Sequence, residues 1–417
     1  MTPAEARALG RLGGMALSGL VSGIEHVHQV IAGRAFAAIG PASDPSRIVH
    51  DAAARGAYLA IRGASTVAGA LGGHAAAPLV TGGQPAGTAP AAGLALAALN
   101  AAAGDRLGPG LTPLMICMAV RSGGRDVDLT GRQLAAAFPA ATSRLAVFVH
   151  GLAETDTSWL RRADQSAPYG QRLQAEAGYT PVYVRYNTGR HVSDSGRDLA
   201  VLLAELAAAW PQPVREIMLV GHSMGGLVIR SACHYGQDSA AVWPRHVRHV
   251  FYLGSPHLGA PLARAAGLTG RLLGRLPETR PLGELVAGPD SVRDLRHGYL
   301  LDDDWAGCDQ DRCPHDHRTD TPLLAGANHY TISGTMTADP GSPVGAVVGD
   351  LLVQPASAHG RRGRRQHIDF PAGLGRRFGG LHHFDLLNHP DVWTAIRELL
   401  AGPDSDHGPV AAPPRVG

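Results

Sequence analysis

The chain has 417 residues, 45% hydrophobic and 17% charged, which suits one large globular domain with an appendage and excludes a disordered chain. All 37 basic residues are arginine, and against 35 acidic residues they leave a formal charge of +2, which gives no electrostatic case for a nucleic-acid partner. Four cysteines, Cys117, Cys233, Cys308 and Cys313, are too few for a disulfide scaffold.

The N-terminus lacks a basic start, a leucine-rich stretch and a small-residue cleavage site, so the expected location is cytoplasmic. Residues 1–140 read as an Ala/Gly-rich helical extension made of short helices. Met15 to Ile31 carries Leu17, Leu20, Val21, Ile24, Val27, Val30 and Ile31 at helical spacing. A second helix is expected over Pro45 to Val67, and Thr81 to Pro90 has the composition of a flexible linker. Gly and Pro interrupt the apolar stretch from Ala64 to Ala103 too often for a membrane span. A delivery role for this extension, on a membrane, a granule or a partner, is one hypothesis it leaves open.

From Leu145 the pattern changes. Leu145 to Val149 is a short apolar run ending in His150-Gly151-Leu152, and Thr180 to Tyr186 reads as a strand. Ser193 is placed to cap a helix carrying Leu199, Leu202, Leu203 and Leu206. Glu216 to Val220 is a strand running into Gly221-His222-Ser223-Met224-Gly225, with Leu227, Val228, Ile229 and Ala232 on the helix after it. Val247 to Leu253 and His329 to Met336 are further strands. Strands alternating with helices predict an α/β fold with a mostly parallel sheet, in a domain spanning 141–401 with a tail at 402–417.

With 54 glycines in the chain, a bare Gly-x-Ser-x-Gly carries little weight. Its position between a buried strand and a helix gives it meaning, because a tight turn there exposes the serine hydroxyl. His222, beside the serine, is read as structural, since its side chain points away from the hydroxyl. A tetrahedral oxyanion needs two N–H donors. The backbones of Met224, after the serine, and Leu152, in the loop after the first apolar run, are the expected pair.

Five stretches carry a family resemblance. They are Val147-Phe-Val-His-Gly-Leu152, Gly221-His-Ser-Met-Gly-Gly226, Leu253-Gly-Ser-Pro-His-Leu-Gly259, Gly349-Asp-Leu-Leu-Val353 and Leu381 to Val392. From Leu145 to about Leu400 the chain resembles bacterial lipases and esterases of the α/β-hydrolase superfamily, nearest the branch of GPI-inositol deacylase-like lipases. The resemblance implies an α/β-hydrolase fold and a Ser–acid–His order. It implies Ser223 as nucleophile, Asp350 as acid and His383 as base, with Asp339 and His382 as the respective rivals. A leucine, Leu351, stands where the family has a glycine after the acid. The implied activity is carboxylic-ester hydrolysis of a lipid or small-molecule ester through an acyl-enzyme, with no cofactor. Acyl transfer, thioester or amide cleavage on the same triad, and a non-catalytic binding protein of the same fold, are the alternatives.

Three features lie outside this assignment. Cys308, Cys313, His315 and His317, near Asp302 to Asp304, have the residue types of a metal site. Their spacing is not that of a standard zinc site, so a solvated acidic loop with a disulfide or free thiols is expected and no metal. Leu262 to Val286, inside a possible insertion at 258–325, reads equally as a lid or as a packing helix. The arginines at 361, 362, 364, 365, 376 and 377 read as a solvated basic run or an anionic-surface contact.

Overall fold

Apolar runs such as Leu145 to Val149 do not alternate with polar residues, and strands of that kind must be covered on both faces. In the computed structural model the structure describes residues 1–39, 44–80, 90–261, 263–264, 288–307, 317–362 and 366–402. Its strands are β1 (Ala119–Ser122), β2 (Arg125–Val127), β3 (Arg144–Val149), β4 (Thr180–Arg185), β5 (Glu216–His222), β6 (Val247–Leu253) and β7 (Asn328–Thr335), then a small hairpin of β8 (Arg361–Arg362) and β9 (Gln366–His367), and finally β10 (Gly375–Gly379). Eight of them form one sheet in the order β10-β7-β6-β5-β3-β4-β1-β2. All neighbours from β10 to β4 are parallel, while β1 is antiparallel to both β4 and β2.

The two faces divide the strand residues by their period of two. Leu145, Val147, Val149, Ile217 and Leu219 pack on one side beneath α6 (Val192–Ala209) and α7 (Met224–Asp238). Ala146, Phe148, Met218, Val220, Phe251 and Leu253 pack on the other, beneath α5 (Tyr169–Ala177) and α10 (Pro390–Ala401). Ser193 does not cap α6. The helix starts one residue earlier, and the buried Asp294 carboxylate accepts the Val192 N–H at 2.8 Å. A carboxylate from α8 (Asp290–His297), distant in sequence, thus replaces the local cap that the sequence offered.

The extension differs from the expectation of short helices. α1 (Pro3–Ile39) and α2 (Asp44–Ala76) are long and pack as a hairpin. Alanine has the highest helix propensity, and glycines of the two helices form the contact. A Cβ on Gly10 would stand 2.5 Å from the Gly69 carbonyl oxygen, and one on Gly69 2.6 Å from the Gly14 Cα. α3 (Pro90–Ala103) follows, while most of the expected linker, 81–89, lies outside the described residues. Buried Asn100 ties α3 to the next segment by donating to the Leu114 carbonyl and accepting the Ile116 N–H. Asn187, after β4, donates to the Gly104 carbonyl and so docks this end onto the sheet. β1, β2 and α4 (Gly131–Ala137) belong to the sheet layer although they fall within 1–140. No described helix is long and apolar enough to cross a membrane.

Candidate active site

This architecture is the α/β-hydrolase fold, in which loops at the carboxyl ends of the parallel strands form the site, around the point where strand order reverses. Here that point is β3, flanked by β4 and β5. The His150-Gly151 loop leaves β3, Ser223 follows β5 and Gly254 follows β6. Asp350 comes after β7 and the short α9 (Pro343–Val348), and His383 comes after β10.

Ser223 sits at φ 53°, ψ −125°, a conformation that costs an ordinary side chain of order 1–3 kcal/mol. The flanking glycines make this turn possible. A Cβ on Gly225 would strike the Val149 carbonyl, and one on Gly221 would lie 2.6 Å from the Gly226 nitrogen. Strand and helix therefore meet backbone to backbone, and Ser223 is left lining an apolar cavity of about 300 Å³ with His383.

Asp350 and His383 are brought together from opposite sides of β10. The buried His383 Nδ1 lies 2.8 Å from Asp350 Oδ2, and the His383 N–H donates to the Asp350 carbonyl at 3.0 Å. Oδ1 of Asp350 accepts the N–H groups of Leu352 and Val353, which fixes the carboxylate. Leu351 pays the conformational cost of the missing glycine, with φ 83° and its side chain 60% exposed. His383 Nε2 is buried and makes no hydrogen bond within the described residues. The rivals are placed elsewhere. Asp339 is exposed, and His382 is half-exposed with its Nε2 3.1 Å from Asp385.

Residue Glu154 had no signal in the sequence and proves central. Its Oε2 accepts the Gly151 N–H at 2.8 Å, and its Oε1 lies 2.8 Å from His222 Nδ1. Burial pushes the Glu154 carboxyl up, yet the His222 charge and the Gly151 N–H prevail and hold it at about 2. Burial pulls the His222 imidazole down, and Glu154 outweighs it, so the net shift is upward. His222 Nε2 in turn lies 3.2 Å from the His383 carbonyl oxygen. The pair thus braces both the loop after β3 and the loop carrying His383. In the loop after β3 the other N–H groups are engaged: Gly151 with Glu154, Ala153 with Thr188 Oγ1, and Glu154 with the Gly151 carbonyl. Leu152 remains, and Met224 N–H, the first of α7, has no carbonyl in a preceding turn.

The buried pair makes a stability prediction. Glu154→Ala strands a buried imidazole and lowers the unfolding free energy by about 3–5 kcal/mol in urea titrations, with Glu154→Gln milder. Because Glu154 is depressed, its contribution is present above its ordinary value of 4.5 and lost as pH falls through about 2. His222, being raised, contributes below its ordinary 6.5 and loses that contribution as pH rises through its higher folded value. A wild-type acid transition that Glu154→Gln leaves unchanged in depth would contradict this assignment.

Of the segment Leu262 to Val286, expected as a lid or a packing helix, all but 263–264 lies outside the described residues, as do Cys308, Cys313 and His315. Among the described residues no cluster of His, Cys, Asp and Glu is arranged to hold a metal ion, and His317 is exposed. Of the basic run, Arg361 and Arg377 are exposed and Arg376 half-buried. Cys233 is buried in the core.

Residues 147–271 match the PGAP1-like alpha/beta domain family. No curated protein matches the sequence. Among solved structures, the chain is similar to the lipase BlEst2 of Bacillus licheniformis in its mature form, with 21% identity and a TM-score of 0.38 over 58% of this chain and 86% of that one. Against the propeptide form of the same lipase, identity is 21% and the TM-score 0.40, over 62% of this chain and half of that one. Phospholipase PlaB from Legionella pneumophila is 17% identical with a TM-score of 0.37, over 62% of this chain and 60% of that one.

Proposed function

We propose that the chain is a serine hydrolase that cleaves carboxylic esters of medium-length acyl chains through an acyl-enzyme on Ser223. The observation that carries the proposal is the convergence of a strained serine and a carboxylate-oriented imidazole on one apolar cavity.

In this mechanism His383 Nε2 takes the Ser223 proton as the hydroxyl oxygen attacks the acyl carbonyl carbon. Asp350 holds Nδ1–H, so Nε2 is the basic nitrogen, and the same carboxylate offsets the positive charge that develops on the ring. The carbonyl oxygen becomes an oxyanion held by the N–H groups of Leu152 and Met224. The imidazolium gives its proton to the departing alkoxide, and the acyl group stays on Ser223. Water, activated by the same imidazole, then attacks the acyl-enzyme and releases the acid. The acyl chain lies against Ala260, Ala263, Val292, Leu295 and Phe384.

Two measurements test this. A fluorophosphonate probe labels the wild type and fails to label Ser223→Ala, whereas an unlabelled, folded wild type contradicts the enzyme assignment. With p-nitrophenyl esters, kcat/KM rises from acetate toward medium chains by roughly fourfold per methylene, as expected at about 0.8 kcal/mol per buried CH₂. A profile that is highest on acetate and falls from there rules out the acyl-chain assignment of the cavity.

A further inference from the structure

A second cavity, polar and about 460 Å³ in volume, lies behind the loop that follows β6. That loop separates the two cavities, because Pro256 lines the catalytic one and its neighbour His257 lines the other. Arg230, two turns along α7 from the nucleophile, also lines the second cavity and is 7% exposed. Among the described residues its guanidinium donates one hydrogen bond, 2.9 Å to the Thr321 carbonyl, and no carboxylate pairs with it. Burying a guanidinium without an anion is costly, since the charge loses its hydration and gains no partner. Burial lowers the Arg230 pKa and the positive charge of nearby Arg318 lowers it further, while the Asp304 carboxylate acts in the opposite direction without reversing the shift.

His257 presents the same deficit. It is fully buried between the rings of Tyr252 and Phe370, at 4.7 and 4.9 Å between centroids, and among the described residues neither ring nitrogen has a hydrogen-bond partner. A neutral imidazole always carries one N–H, so a buried donor faces no acceptor. The buried carboxylate lining this cavity, Asp304, is committed elsewhere. It accepts the N–H groups of Leu300 and Leu301 on one oxygen and that of Thr319 on the other. The remaining lining acids, Asp320 and Asp369, are exposed at the mouth.

We propose that this cavity is a binding site for a small anion bearing a single phosphate group, distinct from the catalytic cavity. Arg230 supplies a charge-assisted donor and His257 a neutral one, from different elements. Two donors on separate elements suit a tetrahedral oxyanion, which has acceptor oxygens in several directions. The exposed Asp320 and Asp369 repel additional negative charge, which limits the ligand to one phosphate rather than a polyphosphate. The segment from Gly254 to Gly259 stands between this cavity and the wall of the acyl cavity.

The test is calorimetric titration of the full chain with inorganic phosphate and with glycerol 3-phosphate, at constant ionic strength held with chloride. Saturable binding at one site per chain is expected for at least one of the two. Tighter glycerol phosphate identifies a headgroup-like ligand, and tighter inorganic phosphate a free one. Arg230→Gln and His257→Phe weaken binding by about tenfold or more, while Ser223→Ala leaves it unchanged. Since Arg230 is buried and its variant can misfold, half-buried Arg318→Gln provides a second reading, with a weakening of a few-fold. Absence of saturable binding to wild type, or wild-type affinity in the folded Arg230, His257 and Arg318 variants, overturns the proposal. Because the readout is binding, a hydrolase assay that fails leaves this result standing, and the reverse holds as well.

Discussion

Ser223→Ala is expected to lower kcat on a p-nitrophenyl ester by on the order of 10⁵–10⁶-fold, with circular dichroism unchanged. In the proposed mechanism the effect is large because the hydroxyl is the atom that forms the acyl bond, and no neighbouring group replaces it. Fold retention is expected for a positive reason. Ser223 occupies a left-handed backbone position that alanine also tolerates poorly, so the strain is similar before and after. The residual rate measures what the N–H groups of Leu152 and Met224 and the cavity do alone. A fall of less than about 10³-fold would mean that another nucleophile performs the reaction.

Asp350→Asn is the second large effect, about 10⁴-fold in kcat with little change in KM. The carboxylate receives His383 Nδ1 at 2.8 Å and is itself held by two backbone N–H groups. An amide there preserves the shape and one set of hydrogen bonds, yet it permits the imidazole tautomer with the proton on Nε2. That tautomer cannot accept the Ser223 proton. Asp339→Asn, on an exposed turn, should leave kcat within a factor of two of wild type, so the pair of variants separates the acid from its rival. Similar losses in both variants would mean that the carboxylate acts through stability and not through the ring.

Much of this site was readable from local sequence. The Gly-x-Ser-x-Gly turn between an apolar strand and a helix is a local backbone constraint, and the glycines needed for close approach are written next to the serine. The parallel strands were legible for the same reason, since burial on both faces requires continuous apolar runs such as Leu145 to Val149 and Val247 to Leu253. β10 was not, because Gly375-Arg-Arg-Phe-Gly379 is an edge strand with a half-exposed face and carries no such run. The β1–β2 hairpin escaped for a related reason, being short and partly exposed, and so it fell inside a stretch read as helical.

Long-range pairing decided the rest. Nothing near Glu154 in the chain announces a partner, because His222 is 68 positions away and reaches it only through the adjacency of β3 and β5. Asp294 at the start of α6 is the same case, a carboxylate about a hundred residues distant displacing the local cap at Ser193. Which carboxylate meets which imidazole depends on side chains that face each other across loops, as Asp350 and His383 do, and spacing carries no such information. By itself the sequence determined the inner parallel strands and the glycine turn at Ser223, because those depend on neighbouring residues. Only the tertiary structure decided which charges are buried together. Desolvation makes the cost of a buried charge depend on its whole surroundings, and those are assembled from segments far apart in the chain.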